Sequence, residues 1–249
     1  MTPARNPFSV EGRVIVVTGA GRGIGAAVAS GLADAGAQVH GLDLAYESTD
    51  SRFDAAICDI TDETAIRAAV DRIVGANEGL DGLVNNAGIS LPPDDSYGRD
   101  PFLRTLAVNT LAPLRLGWLV AQAMTRADRR GGSIVNVTSL NAHRGFPDNP
   151  AYQASKAALA QLTRAMAVDF GGRGIRVNSV CPGYVATAMT RASYADADAN
   201  RARTARTILG RWAQPEDFVG PCQFLLSDAS AYVTGIELPV DGGWLAKGL

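Results

Sequence analysis

The stretch RVIVVTGAGRGIG, residues 13–25, decides the fold of this 249-residue chain. Its first half is a run of β-branched residues, which is typical of a parallel strand buried on both faces. Its second half is rich in glycine, and the small residues 26–35 that follow predict a helix closed by Gly36. A strand, a glycine turn and a helix in this order let the backbone approach a phosphate closely, and the helix N-terminus attracts that anion. The sequence therefore predicts a phosphate-binding turn at residues 18–25.

The second predicted strand, residues 38–42, ends in Asp43. An acidic residue at this place, about 20 positions after the glycines, hydrogen-bonds the ribose hydroxyls of an adenine dinucleotide and repels a 2′-phosphate. Arg22 in the glycine turn is the contrary signal, because a guanidinium there would attract a 2′-phosphate. Since Asp43 is expected closer to the ribose, the sequence favours NAD over NADP.

The rest of the chain alternates predicted strands and helices, which indicates a single α/β domain over residues 1–249. Within it, residues 1–10 are predicted to be a flexible tail, and the alanine- and arginine-rich residues 184–211 a lid over the substrate. A ligand-side loop is expected at 89–101, and one long helix at 102–124. Further strands are expected at 55–60, 80–84, 133–138, 175–181 and 236–243.

Composition and charge argue against several classes of function. The chain is 47% hydrophobic and 19% charged with a net charge of −2, and no basic patch predicts binding to nucleic acid or to a membrane surface. No apolar run is long enough for a membrane span. The three scattered cysteines predict reduced, buried thiols in a cytoplasmic protein. His40 and His143 are far apart in the sequence, so no metal site with histidine at ligand spacing is predicted.

Tyr152 and Lys156 are the candidate catalytic pair. Four residues apart on a predicted helix, they share one face. A nearby ammonium favours the anionic form of a phenol, which would let Tyr152 exchange protons near neutral pH as a general acid or base. The same spacing alone is also typical of a solvated helix pair. Ser139 strengthens the catalytic interpretation, because it follows a buried strand at the edge where open α/β sheets bind ligands.

Together these motifs resemble those of the short-chain dehydrogenase/reductase family. The matching motifs are TGxxxGIG at 18–25, NNAG at 85–88, Asn109, Ser139, YxxxK at 152–156, Pro182-Gly183 with Thr187, and VDGG at 240–243. The resemblance covers nearly the whole chain. It implies a Rossmann-type doubly wound parallel sheet of about seven strands with helices on both faces. It also implies a homotetramer or homodimer built on the long helices at 102–124 and 152–170.

The resemblance implies a role for each matched residue. Tyr152 would exchange a proton with the substrate oxygen, and Ser139 would hydrogen-bond that oxygen. Lys156 would hold the nicotinamide ribose and keep the tyrosine acidic, and Asn109 would support a water that links Lys156 to solvent. The dinucleotide would contact Tyr152, Lys156 and a further set: Gly19, Arg22, Gly23, Ile24, Gly25, Asp43, Asp59, Ile60, Asn86, Val185 and Thr187.

The expected substrate pocket is rich in hydrogen-bonding groups. Its candidate residues are Ser90, Ser139, Asn141, Arg144, Tyr152 and Tyr184. They favour an NAD(H)-dependent oxidoreductase that interconverts a polar secondary alcohol, such as a polyol, sugar or sugar acid, and its ketone. Arg144 would suit a carboxylate, although a solvated loop arginine is the alternative. A second possibility is an NADP-dependent ketoreductase of the 3-oxoacyl-carrier-protein reductase kind, which Asp43 disfavours. A non-catalytic dinucleotide-binding protein is a third, which the intact trio of Ser139, Tyr152 and Lys156 disfavours.

Overall fold

A computed structural model describes residues 6–46, 50–77, 79–91, 97–125 and 131–247. Half of the expected tail at residues 1–10 lies outside the described residues. So does the middle of the expected loop at 89–101, with Asp94 and Asp95. In the described part, no helix is long and apolar enough to cross a bilayer.

One parallel sheet organises the described chain. Its seven strands are β1 (Val14–Thr18), β2 (Gln38–Asp43), β3 (Asp54–Ile57), β4 (Gly82–Asn85), β5 (Gly132–Val137), β6 (Ile175–Pro182) and β7 (Glu237–Val240). They lie in the order β3-β2-β1-β4-β5-β6-β7, and every pair is parallel. The winding direction switches between β1 and β4, where doubly wound sheets open a crevice at their carboxyl ends. The predicted doubly wound sheet is confirmed.

Helices cover both faces of this sheet. They are α1 (Gly23–Asp34), α2 (Glu63–Asn77), α3 (Arg99–Leu106), α4 (Ala112–Ala123), α5 (Pro150–Gly171), α6 (Arg191–Ala195), α7 (Ala197–Thr204) and α8 (Val219–Leu226). One hydrophobic cluster joins α2, α4 and α5 to the sheet, and a second joins α1 and α8 to its other face. Val14 and Val16 of β1 belong to the first cluster, while Ile15 and Val17 belong to the second. Because successive side chains of a strand point to opposite faces, a strand buried on both faces requires an unbroken apolar run.

Strand β3 is shorter than predicted, because it ends at Ile57 rather than at residue 60. The reason lies in Asp59, whose carboxylate accepts hydrogen bonds from the main-chain N–H of Thr61 at 2.8 Å and from its hydroxyl at 2.7 Å. These bonds turn the chain toward α2. Asp62 then accepts from the N–H groups of Thr64 and Ala65, which is the expected capping of a helix N-terminus.

The long helix expected at 102–124 is interrupted by a wide π turn. This turn, Ala107–Leu111, separates α3 from α4. A π turn inserts one residue into the helical repeat and is frequent at functional sites. Asn109 lies in the middle of the turn and is fully buried. Asn109, a polar residue within an apolar helical pattern, is therefore directed into the molecule.

Candidate active site

The turn between β1 and α1 is shaped by close contacts between main-chain atoms. Gly19 has a positive φ of 68°, a conformation that favours glycine. A Cβ atom on Gly25 would lie 2.0 Å from the carbonyl oxygen of Gly19, and one on Gly21 would lie 2.0 Å from the carbonyl oxygen of Ala45. Neither position can carry a side chain without movement of the backbone. The turn is therefore a cradle open to a pyrophosphate at the N-terminus of α1.

Asn86 joins this cradle to the end of β4. Its amide nitrogen donates to the carbonyl oxygens of Thr18 at 3.0 Å and Gly19 at 3.2 Å. The Thr18 hydroxyl in turn accepts from the main-chain N–H groups of Asn86 and Ala87, both at 3.1 Å. Asn86, predicted to contact the dinucleotide, thus braces the glycine turn across the switch point. The sequence interpretation missed the role of Thr18, although its hydroxyl directly before the glycines was a usable signal.

Asp43 lies at the end of β2 beside the cradle. One carboxylate oxygen accepts from the N–H of Gly21 at 2.8 Å, and the other accepts from the N–H of Leu44 at 2.6 Å. A carboxylate has about four lone-pair sites. These two contacts therefore fix the orientation of Asp43 and leave acceptor capacity for ribose hydroxyls. Its negative charge lies where the sequence predicted discrimination against a 2′-phosphate.

A cleft of about 400 Å³ opens between the glycine turn and the segment after β6. Arg22 and Gly23 line one wall, Thr187 lines another, and Arg191 and Tyr194 of α6 contribute from the predicted lid. Two guanidinium groups beside a helix N-terminus suit phosphate oxygens. The predicted cofactor residues Gly23, Arg22 and Thr187 are thus brought together.

The remaining predicted cofactor residues are less exposed to this cleft. Val185 is buried and pairs with Ala213 in an isolated bridge. Ile60 packs in the hydrophobic core, while Asp59 is exposed at the carboxyl end of β3. Ile24 is partly buried against the second cluster. The side chain of Ile60 is occupied by the core, so only its main chain is available to a ligand.

Tyr152 lies in the first turn of α5, and Ser139 lies two residues beyond the end of β5. Asn149 fixes the start of α5, because its side-chain oxygen accepts from the N–H of Tyr152 at 3.3 Å. The amide nitrogen of Asn149 donates to the hydroxyl of Ser90 at 2.7 Å. The sequence interpretation missed Asn149. An asparagine directly before a proline is a known helix-start pattern and was the available signal.

Lys156 is almost fully buried one turn after Tyr152 on α5. Its Nζ donates to the carbonyl oxygen of Val137 at 2.8 Å and lies 5.7 Å from the centroid of the Tyr152 ring. Burial lowers the pKa of Lys156 from 10.5 to about 8.

The expected lowering of the Tyr152 pKa by Lys156 is corrected by this geometry. Burial raises the pKa of the phenol above its ordinary value, and the hydroxyl of Ser139 opposes that rise only in part. The ammonium of Lys156 is directed at the Val137 carbonyl instead of the phenol oxygen. Desolvation therefore outweighs the charge, and Tyr152 is a protonated donor in this arrangement.

Asn109 holds the loop after β4 over the lysine. Its side-chain oxygen accepts from the N–H of Ile89 at 2.8 Å, and its amide nitrogen donates to the carbonyl of Ile89 at 2.9 Å and to the hydroxyl of Ser155 at 3.0 Å. A Cβ atom on Gly88 would lie 3.2 Å from Oδ1 of Asn109 and 3.4 Å from Nζ of Lys156. The predicted residue Asn109 is therefore close to Lys156, with its side-chain amide engaged by protein groups.

The predicted substrate residues divide into two groups. Asn141 donates to the hydroxyl of Ser139 through both its main-chain and its side-chain nitrogen, each at 3.3 Å. Ser90 is linked to the helix of Tyr152 as described above. The ring of Tyr184, the first residue of the predicted lid, packs 5.3 Å from that of Trp212. Arg144, by contrast, is exposed on the loop after β5.

Comparison with known proteins agrees with this geometry. The family model described as Enoyl-(Acyl carrier protein) reductase matches residues 19–245. The chain is 38% identical over 252 residues to 2-dehydro-3-deoxy-D-gluconate 5-dehydrogenase of Pseudoalteromonas atlantica, covering 96% of this chain and 98% of that protein. It is also 38% identical over 250 residues to gluconate 5-dehydrogenase of Gluconobacter oxydans, covering 95% and 96%.

A solved structure gives the same result. The gluconate 5-dehydrogenase of Burkholderia cenocepacia, in complex with NADP and tartrate, superposes with a TM-score of 0.90 at 34% identity, covering 97% of this chain and 98% of that one. Sequence and structure are thus similar over nearly the full length of both proteins. The chain belongs to the short-chain dehydrogenase/reductase family.

Proposed function

We propose that this protein is a nicotinamide-dinucleotide-dependent dehydrogenase that interconverts a polar secondary alcohol, such as a polyol, sugar or sugar acid, and its ketone. The observation that carries the proposal is the meeting of Ser139, Tyr152 and Lys156 at the carboxyl edge of the sheet, beside the glycine cradle. Relatives named as gluconate and 2-dehydro-3-deoxy-D-gluconate dehydrogenases support the substrate class.

The residues present fit a dinucleotide. The glycine cradle and the N-terminus of α1 would hold its pyrophosphate, Asp43 its adenosine ribose, and Lys156 its nicotinamide ribose. When bound, such a cofactor takes a hydride from the carbinol carbon or returns it to the ketone carbon. The cleft beside Thr187 leaves room for its phosphates.

Proton transfer is assigned to this chain's own side chains. Tyr152, protonated because burial raises its pKa, donates its phenolic proton to the carbonyl oxygen as the ketone is reduced. Ser139 donates a hydrogen bond to the same oxygen and stabilises its developing charge. In the oxidation direction the deprotonated phenol of Tyr152 would accept the alcohol proton, a form that burial disfavours at neutral pH.

The main test compares Tyr152→Phe with Tyr232→Phe, which alters a fully exposed tyrosine. Removing the phenolic hydroxyl should lower kcat by about 10²–10⁴-fold, because a positioned acid or base contributes that much. Dinucleotide affinity should stay within about twofold, since the ring remains in place. The assay follows the reduced-nicotinamide absorbance with polyols, sugar acids and aliphatic secondary alcohols. A Tyr152→Phe enzyme with near wild-type turnover would exclude the mechanism, and turnover restricted to aliphatic alcohols would exclude the substrate class.

Within this function we propose a preference for NAD. The support is the charge and position of Asp43. The NADP held by the Burkholderia relative and the position of Arg22 in the cleft stand against it. Calorimetric titration with NAD and with NADP decides which cofactor is bound more tightly, and so whether Asp43 or Arg22 determines the preference. The wild-type protein should bind NAD more tightly, and Asp43→Ala should narrow the difference by relieving the repulsion of the 2′-phosphate. Tighter binding of NADP by the wild type would contradict the proposal.

We also propose that the protein is a single domain, is cytoplasmic and uses residues 184–211 to cover the substrate. We further propose that it assembles as a homotetramer or homodimer. The support for assembly is a set of exposed apolar side chains on α3, the π turn, α4 and α5: Leu103, Leu111, Trp118 and Val168. Exposed apolar side chains on several helices suit contact with a second copy. Light scattering of the purified chain should give a mass two or four times that of the monomer, and a monomeric mass would refute the assembly.

A further inference from the structure

Three residues with metal-binding side chains meet on the side of the sheet next to β7. His143 lies in the loop after β5, Cys181 lies in β6, and Glu237 is the first residue of β7. One ligand atom from each lies within 4.8 Å of those of the other two. Nε2 of His143 contacts one oxygen of Glu237, while the hydroxyl of Thr138 contacts the other. The sequence spacing of the histidines gave no hint of this cluster, because its members come from three separate elements.

Burial distinguishes this group from the exposed carboxylate clusters that are common on protein surfaces. Cys181 is fully buried, and the side chain of Glu237 is only 9% exposed. The imidazole of His143 is 34% exposed, so the cluster is reached from solvent through one ligand. The carboxylate and the thiol are thus held beside an imidazole that remains accessible from solvent.

The chemistry of the three groups selects the ion. An imidazole nitrogen, a sulfur and a carboxylate oxygen are the usual protein ligands of Zn²⁺, whereas Mg²⁺ and Ca²⁺ prefer oxygen ligands alone. Bonds of about 2.0–2.3 Å in a tetrahedral site separate ligand atoms by about 3.3–3.8 Å. The present separations lie within 4.8 Å, and binding an ion would require the side chains to rotate until the ligand atoms reach that range.

We propose that His143, Cys181 and Glu237 form a binding site for a divalent transition-metal ion of the zinc class. On binding, a metal–sulfur bond forms as the thiol S–H bond breaks and its proton passes to the solvent. His143 binds through the lone pair of neutral Nε2, and water completes the fourth position. The ion would tie the loop that carries Ser139 to β6 and to the edge strand β7. Its expected effect is stabilisation of this edge, since it binds the folded chain and not the unfolded one.

The test uses Co²⁺ as a spectroscopic probe of the full-length protein after chelator treatment. Titration should give a thiolate-to-cobalt charge-transfer band that saturates at one ion per chain. The band should disappear in Cys181→Ser and persist in Cys222→Ser, which alters another buried cysteine. His143→Ala changes a partly exposed side chain, and it should weaken cobalt binding by at least about tenfold while the fold is kept.

Thermal unfolding supplies the second readout. Added Zn²⁺ should raise the Tm of the wild type and of Cys222→Ser, but not that of His143→Ala or Cys181→Ser. A wild-type protein without the charge-transfer band would overturn the proposal, and so would a band that persists in Cys181→Ser. Neither readout depends on turnover, so failure of this site and failure of the proposed dehydrogenase activity are distinguishable.

Discussion

The two sides of the active-site crevice are built from different kinds of contact. On the glycine side, residues 18–25 and 85–88, the critical distances join main-chain atoms or an asparagine amide to a main chain. On the lid side, residues 184–212, rings and guanidinium groups pack on one another. Tyr184 and Tyr194 both contact Trp212, with ring centroids 5.3 Å and 5.2 Å apart. The first side is therefore defined by backbone shape, and the second by side-chain identity.

Arg203 illustrates the character of the lid side. Its guanidinium lies 5.1 Å from the ring centroid of Tyr184 and 5.9 Å from that of Trp212. Its Nη1 atom is buried without a hydrogen-bond partner among the described residues. Gly210 on the same side has a φ of 65°, so a side chain would be strained there although the space is open. Because Thr187, Arg191 and Tyr194 line the cleft together with Arg22 and Gly23, we expect that only lid side chains away from this cleft can be exchanged without disturbing the cradle.

The largest effect is expected from Gly25→Ala on the glycine side. The new methyl group would collide with the carbonyl of Gly19 and with the side-chain nitrogen of Asn86, which a Cβ would approach to 2.3 Å. We expect loss of dinucleotide binding and a fall of about 3 kcal/mol or more in the free energy of unfolding. Fluorescence titration and denaturant unfolding measure the two effects.

The matched control for that change is Gly75→Ala. Gly75 lies in α2, where a Cβ atom would have no other atom within 4 Å, and alanine favours a helix. We expect a gain of about 0.5–1 kcal/mol and unchanged cofactor affinity. Equal effects of the two substitutions would mean that the backbone of the cradle yields, and the contrast between the two sides would fail.

Lys156→Met tests a catalytic residue that belongs to neither the glycine side nor the lid side. We expect kcat to fall by at least about 100-fold, while the free energy of unfolding at pH 7 rises by on the order of 2 kcal/mol, because a buried ammonium costs stability. The folded-state pKa of about 8 lies below the ordinary 10.5. Between these values the unfolded chain binds the extra proton, so the contribution of Lys156 to stability should rise with pH across that window.

The methionine variant should lack this contribution. Its gain in the free energy of unfolding over the wild type should be largest below pH 8 and vanish above pH 10.5. Denaturant unfolding over a pH series measures it. Lys247→Met, at an exposed lysine that donates to the carbonyl of Ala205, is the control and should lack the gain in stability at pH 7. A stability difference between the methionine variant and the wild type that does not change between pH 8 and 10.5 would contradict the burial of a titrating ammonium.

The smallest expected effect belongs to the lid. Arg203→Gln removes the two guanidinium–ring contacts, each worth about 0.5–1 kcal/mol. We expect Tm to fall by a few degrees and dinucleotide affinity to stay unchanged. Arg201→Gln, two residues away and strongly exposed, should change neither Tm nor dinucleotide affinity. A loss of cofactor affinity in Arg203→Gln would show that the two sides are coupled.

The same division explains what could be predicted from the sequence. The unbroken apolar run of β1 and the glycines after it are local patterns. The run predicts a strand buried on both faces, and the glycines predict a phosphate-binding turn. Tyr152 and Lys156 were placed on one helix face by their spacing. The structure agrees with these local inferences, because each depends on residues that are neighbours in the chain.

The features that could not be predicted depend on contacts between distant parts of the chain. Periodicity indicated one helix at 102–124 and could not show that a π turn would accommodate Asn109. The spacing of Lys156 could not show that its ammonium would meet the carbonyl of Val137 instead of the phenol. The cluster of His143, Cys181 and Glu237 requires the order of β5, β6 and β7 to be known first.

The π turn has one more consequence for the loop after β4. Through its side-chain amide, Asn109 both accepts from and donates to the main chain of Ile89, which is the pair of bonds a residue in a neighbouring strand would make. A single side chain thus supplies to Ile89 the pair of hydrogen bonds that a strand would supply. The loop over Lys156 is therefore tied to the π turn that carries Asn109, and a shift of one element would break these bonds or move the other.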